Sequence, residues 1–396
     1  MAFRNTFIPY RAYWSSAFCR WQGALANSNS LELVAATAKR FLHSRQIEPG
    51  GIESLHLGFT VPQKQSFYGA PWVAAMAGLE GITGPVLAQA CATSARVVAS
   101  AAGSLETGSD ACILALAADR TSNGPQLLYP NPKGIGGMAD VEAWVWDNFN
   151  KDPNTGQAML ATAENVAQAA GITREEQDEL TLLRNEQYQE ALRDDRAFQR
   201  RYMFPVEIGS GKHTKTVDAD EGVFPTTREG LAKLRPVREG GTVTFGGQTY
   251  PADGHAGMVL CTEERAASMS ADPAVRIQVL ASGTARVEKA HMPMAVVPAA
   301  ERAVGAAGIK FADLQAIKTH NPFAVNDLYF SKKCGIPLDN VNRFGSPLIY
   351  GHPQGPTGMR VLIELIEQLV VEGGGYGLFS GCAAGDTAMA LVVRVG

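Results

Sequence analysis

The chain has 396 residues, 45% of them hydrophobic and 19% charged, with 41 Gly and 21 Pro, which is room for more than one domain around a large core. Its formal net charge of -4 argues against a general nucleic-acid binder, which needs a basic field. No run approaches the ~18 apolar residues of a membrane helix.

Six cysteines, at 19, 91, 112, 261, 334 and 382, are scattered without the pairing of a metal site or a dense disulfide framework. Reduced thiols in a cytoplasm fit this usage. The first residues, MAFRNTFIPYRAYWSS, lack the apolar core of a signal peptide. The expectation is a soluble cytoplasmic protein with neither a membrane nor a nucleic acid as partner, and with no bound metal.

Residues 1–120 alternate strand and helix signals. NSLELVAATAKRFLHSR has a helical period and an Asn/Ser start, and SLHLGFTV alternates like a strand. The stretch PVLAQACATSARVVAS carries a short apolar run into Cys91 and then an Ala/Val helix, which should run to about Leu105 before ETGSD stops it. ACILALAADR reads as a buried strand. Strands separated by helices imply an α/β fold with a mostly parallel, helix-covered sheet.

Residues 121–250 differ in texture. TSNGPQLLYPNPKGIGGMAD, rich in Gly, Pro and Asn, reads as loop. ITREEQDELTLLRNEQYQEAL reads as an amphipathic helix, opened by a capping box of Thr173 and Glu176. This segment is expected to be an inserted, exposed subdomain. Residues 251–396 return to the first texture, with strands in VRIQVLASGTAR and LQAIKTH, a helix near 295–307, and an Ala/Leu helix after GHPQGPTG. A Gly/Pro-flanked turn entering a helix, then an apolar strand, occurs in both halves and suggests a duplicated unit.

Four reactive residues fall at turns or strand ends: Cys91, His320 in KTHNPFAVND, His352 in YGHPQGPTG and Cys382 in SGCAAGD. Ligands of α/β sheets gather at such ends. Two thiols and two imidazoles supply a nucleophile, a base and a proton carrier, the set needed for acyl transfer. At a helix start Cys91 should lose its proton more readily than a free thiol. Glycines around His352 and Cys382 leave backbone N–H groups free to hold an oxyanion. Cys112 and Cys261, inside apolar strands, read as core. His43, His56, His213, His255 and His291 read as surface or structural.

The chain resembles the thiolase family over its whole length. QACATSARVVASAAGSLETGSDACILALAADRTSNGP is similar to the family's nucleophile block, and MLATAENVAQAAGITREEQDEL to the loop-domain block. DADEGVFPTTREGLAKLRPV and GGTVTFGGQTYPADGHAG match the next two. HNPFA, GHPQGPTGMR and GCAAGDTAMALVV resemble the three C-terminal motifs. The resemblance implies a five-layer α-β-α-β-α fold of two similar mixed-sheet halves: an N-terminal half at 1–120, an inserted loop subdomain at 121–250 whose last strand rejoins it, and a C-terminal half at 251–396. It implies that Cys91 is acylated, that His352 takes the Cys91 proton and polarises the thioester oxygen, and that Cys382 is the second acid/base. It places His320 in the first oxyanion hole, directly or through water, and the N–H groups of Cys91 and Ala384 in the second. Coenzyme A, as substrate and not as a resident cofactor, would be met by Met159, Phe224, Thr249 and Phe323.

Several positions depart from the common pattern. Asn321 and Pro322 stand where Glu and Ala are usual, Ala384 and Asp386 where two residues of a glycine run are usual, and Phe224 where an Arg contacts adenine. Trp144, Trp146 and Phe149 lie in the region that covers the acyl pocket in relatives, or else form a buried apolar patch. This style is similar to sterol-carrier-type thiolases, some of which work with a small zinc-ribbon/OB-fold subunit. The expected reaction is cleavage of a 3-oxoacyl-CoA, bulky, branched or aromatic, by free CoA in a homodimer or higher oligomer. The alternatives are a condensing thiolase or related synthase, and an inactive acyl-CoA-binding subunit.

Overall fold

The computed structural model describes residues 1–396. In chain order the first part holds β1 (Tyr13–Ser15), β2 (Cys19–Arg20), α1 (Ser30–Ser44), β3 (Ser54–Gly58), α2 (Ala70–Met76), β4 (Val86–Leu87), α3 (Thr93–Thr107) and β5 (Cys112–Arg120). A long insertion follows: β6 (Gln126–Tyr129), β7 (Asp140–Ala143), α4 (Trp144–Asn150), α5 (Met159–Ala169), α6 (Arg174–Ala191), α7 (Arg193–Arg196), β8 (Val206–Ile208), β9 (Lys215–Val217) and α8 (Arg228–Ala232). The chain then runs through β10 (Ala252–Cys261), α9 (Glu263–Met269), β11 (Ile277–Arg286), α10 (Val296–Ala306), β12 (Leu314–His320), α11 (Ala324–Cys334), α12 (Pro347–Tyr350), α13 (Thr357–Val371), β13 (Gly375–Ala383) and β14 (Thr387–Val395).

Two sheets share one plan. In the first, β3 runs parallel to β5, which pairs antiparallel with β10, which pairs antiparallel with β1. In the second, β12 runs parallel to β13, which pairs antiparallel with β14, which pairs antiparallel with β11. The helix entering the third strand is α3 in one half and α13 in the other. These two helices pack side by side between the sheets, while α1 and α2 cover one outer face and α10 and α11 the other. The result is five layers, α-β-α-β-α.

The strand sequences fit these layers by their period of two. Ile113, Ala115 and Ala117 of β5 face the central core with α3 and α13, whereas Cys112, Leu114, Leu116 and Ala118 face α1 and α2. Both faces are covered, so β5 reads as a continuous apolar run. Each buried Leu or Ile contributes roughly 1.5–3 kcal/mol relative to exposure, and α13 is buried on every side from Thr357 to Leu369. Its charged residues therefore need partners. Glu364 accepts from Arg360 Nε at 3.0 Å, Tyr202 Oη at 2.7 Å, Tyr350 Oη at 3.0 Å and Lys318 Nζ at 3.4 Å. Arg360 also donates to Asp220 of the insertion at 2.6 and 2.8 Å and lies over the Tyr350 ring.

Two expectations fail. The sheets are mixed and not mostly parallel: β10, returning after the insertion, pairs antiparallel with β1, β2 and β5, and β14, returning through a tight turn after β13, pairs antiparallel with β13 and β11. The stretch read as loop between Thr121 and Asp140 forms an antiparallel hairpin, with Gln126 opposite Ala143 and Tyr129 opposite Asp140. Its strands are only four residues each and exposed, so no apolar alternation announces them, and the Gly-rich connection dominates the local signal. The helix with the Thr173–Glu176 box is α6, and both reciprocal bonds of the box are made. No helix is long and apolar enough to cross a membrane.

Candidate active site

Cys91 precedes α3 on a tight turn. Ala90 before it takes a left-handed backbone at φ 43°, a conformation that non-glycine residues rarely adopt. The turn is held by Thr93, whose hydroxyl donates to the Ala90 carbonyl at 2.7 Å and accepts from Gln89 N–H at 2.8 Å. In the other half the turn His352-Pro353-Gln354-Gly355 stands before α13. The two helix starts, equivalent by the duplication, thus bring Cys91 and the His352 turn together, with Cys91 Sγ against Gln354 of that turn.

The first half clamps the second half's turn. Asp119, near the end of β5, accepts from Gly355 N–H at 2.7 Å, Thr60 N–H at 2.8 Å, Val61 N–H at 2.8 Å and Thr60 Oγ1 at 2.9 Å. Ser94 Oγ donates to the Gly355 carbonyl. A Cβ on Gly355 would lie 2.6 Å from the Asp119 carboxylate, so this contact requires glycine. Burial pushes the Asp119 carboxyl up to about 7, against those donors.

Around Cys91 the groups are close. Its Sγ lies 3.1 Å from Gln354 Oε1. Backbone N–H groups of Ala384 and of Cys91 itself favour the ionised sulfur. Cys382, second from the end of β13, is near enough for the two sulfurs to oppose each other's ionisation. Asn326 Nδ2 donates to Cys382 Sγ at 3.2 Å. His320 Nδ1 lies 3.2 Å from the Cys382 carbonyl, and His352 Nδ1 lies 2.6 Å from Thr357 Oγ1. The Nε2 atoms of both rings are buried without a partner, a costly arrangement unless a substrate or water satisfies them.

The ionisation expected at a helix start is overturned. Burial pushes the Cys91 thiol up to about 12, outweighing the two N–H groups. Desolvation of an anion outweighs a helix start when no base has yet taken the proton. Burial likewise raises Cys382. It lowers His320 to about 4, and it lowers His352 strongly, with the neighbouring His320 adding to the effect. The resting site therefore holds neutral thiols and neutral imidazoles.

The remaining expected residues divide. Thr249 and Phe323 are next to the His320 turn: Thr249 N–H donates to the Pro322 carbonyl at 2.8 Å, its hydroxyl donates to Pro347 O at 2.6 Å, and Gln248 bridges to Phe323. Met159 opens α5 and packs on the same core as Phe323. Phe224 is exposed on a cleft of ≈ 460 Å³ whose wall includes Tyr188, Arg196, Gln199 and Asp220. Trp144 Nε1 donates to the Thr60 carbonyl at 2.9 Å, and Trp146 packs on Trp21 and Phe149. Asn321, in place of Glu, bonds Asp327 at 2.7 Å, Ser346 at 3.1 Å and Leu348 N–H at 3.2 Å, which is a structural use of its amide. Cys112 and Cys261 are core residues, and His56 and His255 are buried.

Gln354, Asp119 and Asn326 were not singled out from the sequence. Only the duplication carries a signal for one of them: Asp119 occupies in β5 the place that Cys382 occupies in β13. No three His, Cys, Asp or Glu side chains converge as a metal would require.

Comparison with known proteins gives one answer. The family models for the thiolase N-terminal and C-terminal domains match residues 14–264 and 273–395. An acetyl-CoA acetyltransferase of Escherichia coli (strain K12) is 30% identical over 388 residues, 96% of this chain and 96% of that protein. One from Rhizobium meliloti (strain 1021) is 31% identical over 381 residues, 94% of this chain and 95% of that protein. The crystal structure of the Bacillus anthracis acetyl-CoA acetyltransferase matches with a TM-score of 0.91 at 26% identity, covering 100% of both chains. Human mitochondrial 3-ketoacyl-CoA thiolase in complex with CoA matches at the same TM-score of 0.91 and 24% identity, over 100% of this chain and 99% of that chain, and so shares the fold.

Proposed function

We propose, from the premise that this chain belongs to the thiolase family of acyltransferases, that it cleaves a 3-oxoacyl-CoA with free CoA through an acyl thioester on Cys91. The observation that carries this reading is the pair of buried, unpartnered imidazole nitrogens, one of them on the turn whose Gln354 touches a thiol at a helix start. A scaffold that merely bound acyl-CoA would gain nothing from such unmet polar atoms.

In this reading the Cys91 sulfur attacks the 3-oxo carbon while its proton passes to His352 Nε2, with Nδ1–H of that ring held by Thr357. Because the Cys382 carbonyl only accepts, His320 carries its proton on Nδ1 and offers Nε2 as an acceptor. Its share of the first oxyanion hole then runs through a water, whose own hydrogen meets the oxyanion beside the newly protonated His352. The C2–C3 bond breaks, the acyl group stays on Cys91, and the departing enolate takes the proton of Cys382. Free CoA then gives its thiol proton to the Cys382 thiolate and attacks the acyl group. The Cys91 sulfur leaves and recovers the proton from His352, so every group returns to its starting state. The N–H groups of Cys91 and Ala384 serve the second thioester oxygen.

For coenzyme A, Thr249 and Phe323 suit the pantetheine end, Met159 the wall beside it, and the exposed Phe224 ring a stacking surface for adenine. Trp144 reaches Thr60, which Asp119 ties to the catalytic turn. This continuity supports an acyl pocket with an aromatic wall and a bulky, branched or aromatic acyl group. Val86 of the edge strand β4 is 44% exposed, and Phe67, on the segment between β3 and α2, is 93% exposed, which suits a homodimer joined through the half that carries Cys91.

The test is a panel of short, long, branched and aromatic 3-oxoacyl-CoAs with free CoA and mass detection, run with and without any co-purifying small zinc protein. Turnover should vanish in Cys91→Ala, and a trapped acyl group should map to the Cys91 peptide. Undiminished turnover in Cys91→Ala would remove the mechanism.

A further inference from the structure

We propose that Gln354 is a positioning residue that holds the Cys91 proton in the resting enzyme, so that the thiol is released to His352 only when substrate displaces the amide. The proposal rests on Cys91 being the nucleophile.

The geometry is specific. Gln354 sits in the catalytic turn with a left-handed backbone, φ 63°, which aims its side chain back across the site. It is buried to 8% exposure. Its Oε1 lies 3.1 Å from Cys91 Sγ, and a carbonyl oxygen can only accept, so the thiol hydrogen points to it. The amide also bears on the His352 ring, so it stands beside both the nucleophile and its base, while His352 Nε2 remains unpartnered. The turn is fixed at its next residue by Asp119 and Ser94, and Gln354 cannot drift away without breaking those bonds.

The other groups facing the sulfur do not take the proton. Ala384 N–H and the Cys91 N–H donate. Asp119 opposes ionisation of the thiol through its charge, Cys382 is itself held as a neutral thiol by burial, and His320 and His352 are uncharged. An S–H bonded to an amide oxygen is stabilised as the thiol, because ionisation removes the donor and leaves two electron-rich atoms in contact. The same amide occupies space beside the sulfur on which the acyl group must arrive. An incoming thioester therefore has to move it, and doing so frees the proton at the moment the carbonyl is in place. This links deprotonation to occupancy and keeps a half-buried thiol from reacting idly with other electrophiles.

The test is the pH profile of Cys91 alkylation by iodoacetamide in the ligand-free enzyme, read from the Cys91 peptide by mass. Gln354→Met keeps length and removes the acceptor. Its alkylation midpoint should fall, with about fivefold faster labelling at neutral pH, the effect of one neutral hydrogen bond. Gln354→Glu places a carboxylate at the same point, and its midpoint should rise. Unfolding temperatures of both variants are measured alongside, since a side chain that only fills space would move stability and leave the two profiles on that of the parent. Coincident profiles, or a rise in Gln354→Met, overturn the proposal. The latter would mean that the amide donates N–H to the sulfur instead. Labelling needs no turnover, so either result leaves the thiolytic reading to be judged by the acyl-CoA panel.

Discussion

His320 and His352 face one another with ring centroids 4.2 Å apart and an interplanar angle of 41°. Two buried imidazoles this close cannot both be charged, and burial holds both below the ordinary value. His255 joins them, pushed down to about 3 by burial and by the charge of Arg40. Unfolded histidines take up protons near pH 6.5, whereas these folded ones do not. Between pH 6.5 and about 4 the unfolded chain therefore binds more protons, and stability falls as pH falls, by up to about 1.4 kcal/mol per pH unit for each histidine. Urea unfolding from pH 7 to 4.5 should show this slope, and His255→Gln should flatten it. An unchanged slope would show that His255 is not held neutral.

Asn326→Leu removes the amide that favours ionised Cys382. Exchange of the enolate proton should slow by about 10²-fold, the low end for a general acid. Acylation of Cys91 should keep its rate. Single-turnover mixing with an acyl donor separates the steps, and equal slowing of both would deny Asn326 this role. Cys382→Ala should behave as the stronger version of the same lesion.

Asp119→Asn keeps shape but turns half of the carboxylate into a donor that faces N–H groups. A loss of about 1–3 kcal/mol in urea unfolding is expected from the unmet donors. Because the freed partner is Gly355 in the catalytic turn, kcat should fall while KM changes little. A KM-only effect would mean that the clamp serves binding.

Glu364→Gln leaves Lys318 buried without its carboxylate partner and Arg360 with Asp220 alone. Breaking a buried ion pair by removing one partner costs about 3–5 kcal/mol, a drop that thermal unfolding would detect at once. A stability within 1 kcal/mol of the parent, on the scale set by that expectation, would show that the network relaxes around the neutral amide.

The fold was readable where local chemistry and tertiary role agree. The Thr173–Glu176 box names its own helix start, and ACILALAADR is apolar throughout because β5 is covered on both faces. The four reactive residues stood out because two thiols and two imidazoles at turns make a chemically complete set, whereas Cys112 and Cys261 lie in apolar runs. Gln354, Asp119 and Asn326 did not stand out, since amides and carboxylates are common in turns and at strand or helix ends. Their partners lie 263, 236 and 56 residues away. The thiol's protonation was misjudged because the sequence shows a helix start but not how deeply it is enclosed.

Because α3 and α13 come from opposite halves and lie against each other in the middle layer, neither half owns the chemistry. Cys91 arrives on one, His352 and Cys382 on the other, and Asp119 and Ser94 of the first half set the geometry of the second half's turn. A fragment ending before β11 would carry Cys91 without His352, and its complement His352 and Cys382 without Cys91. In the proposed mechanism reactivity therefore arises only when the two repeats meet, and a folding intermediate in which they are still apart would have no means of acylating itself.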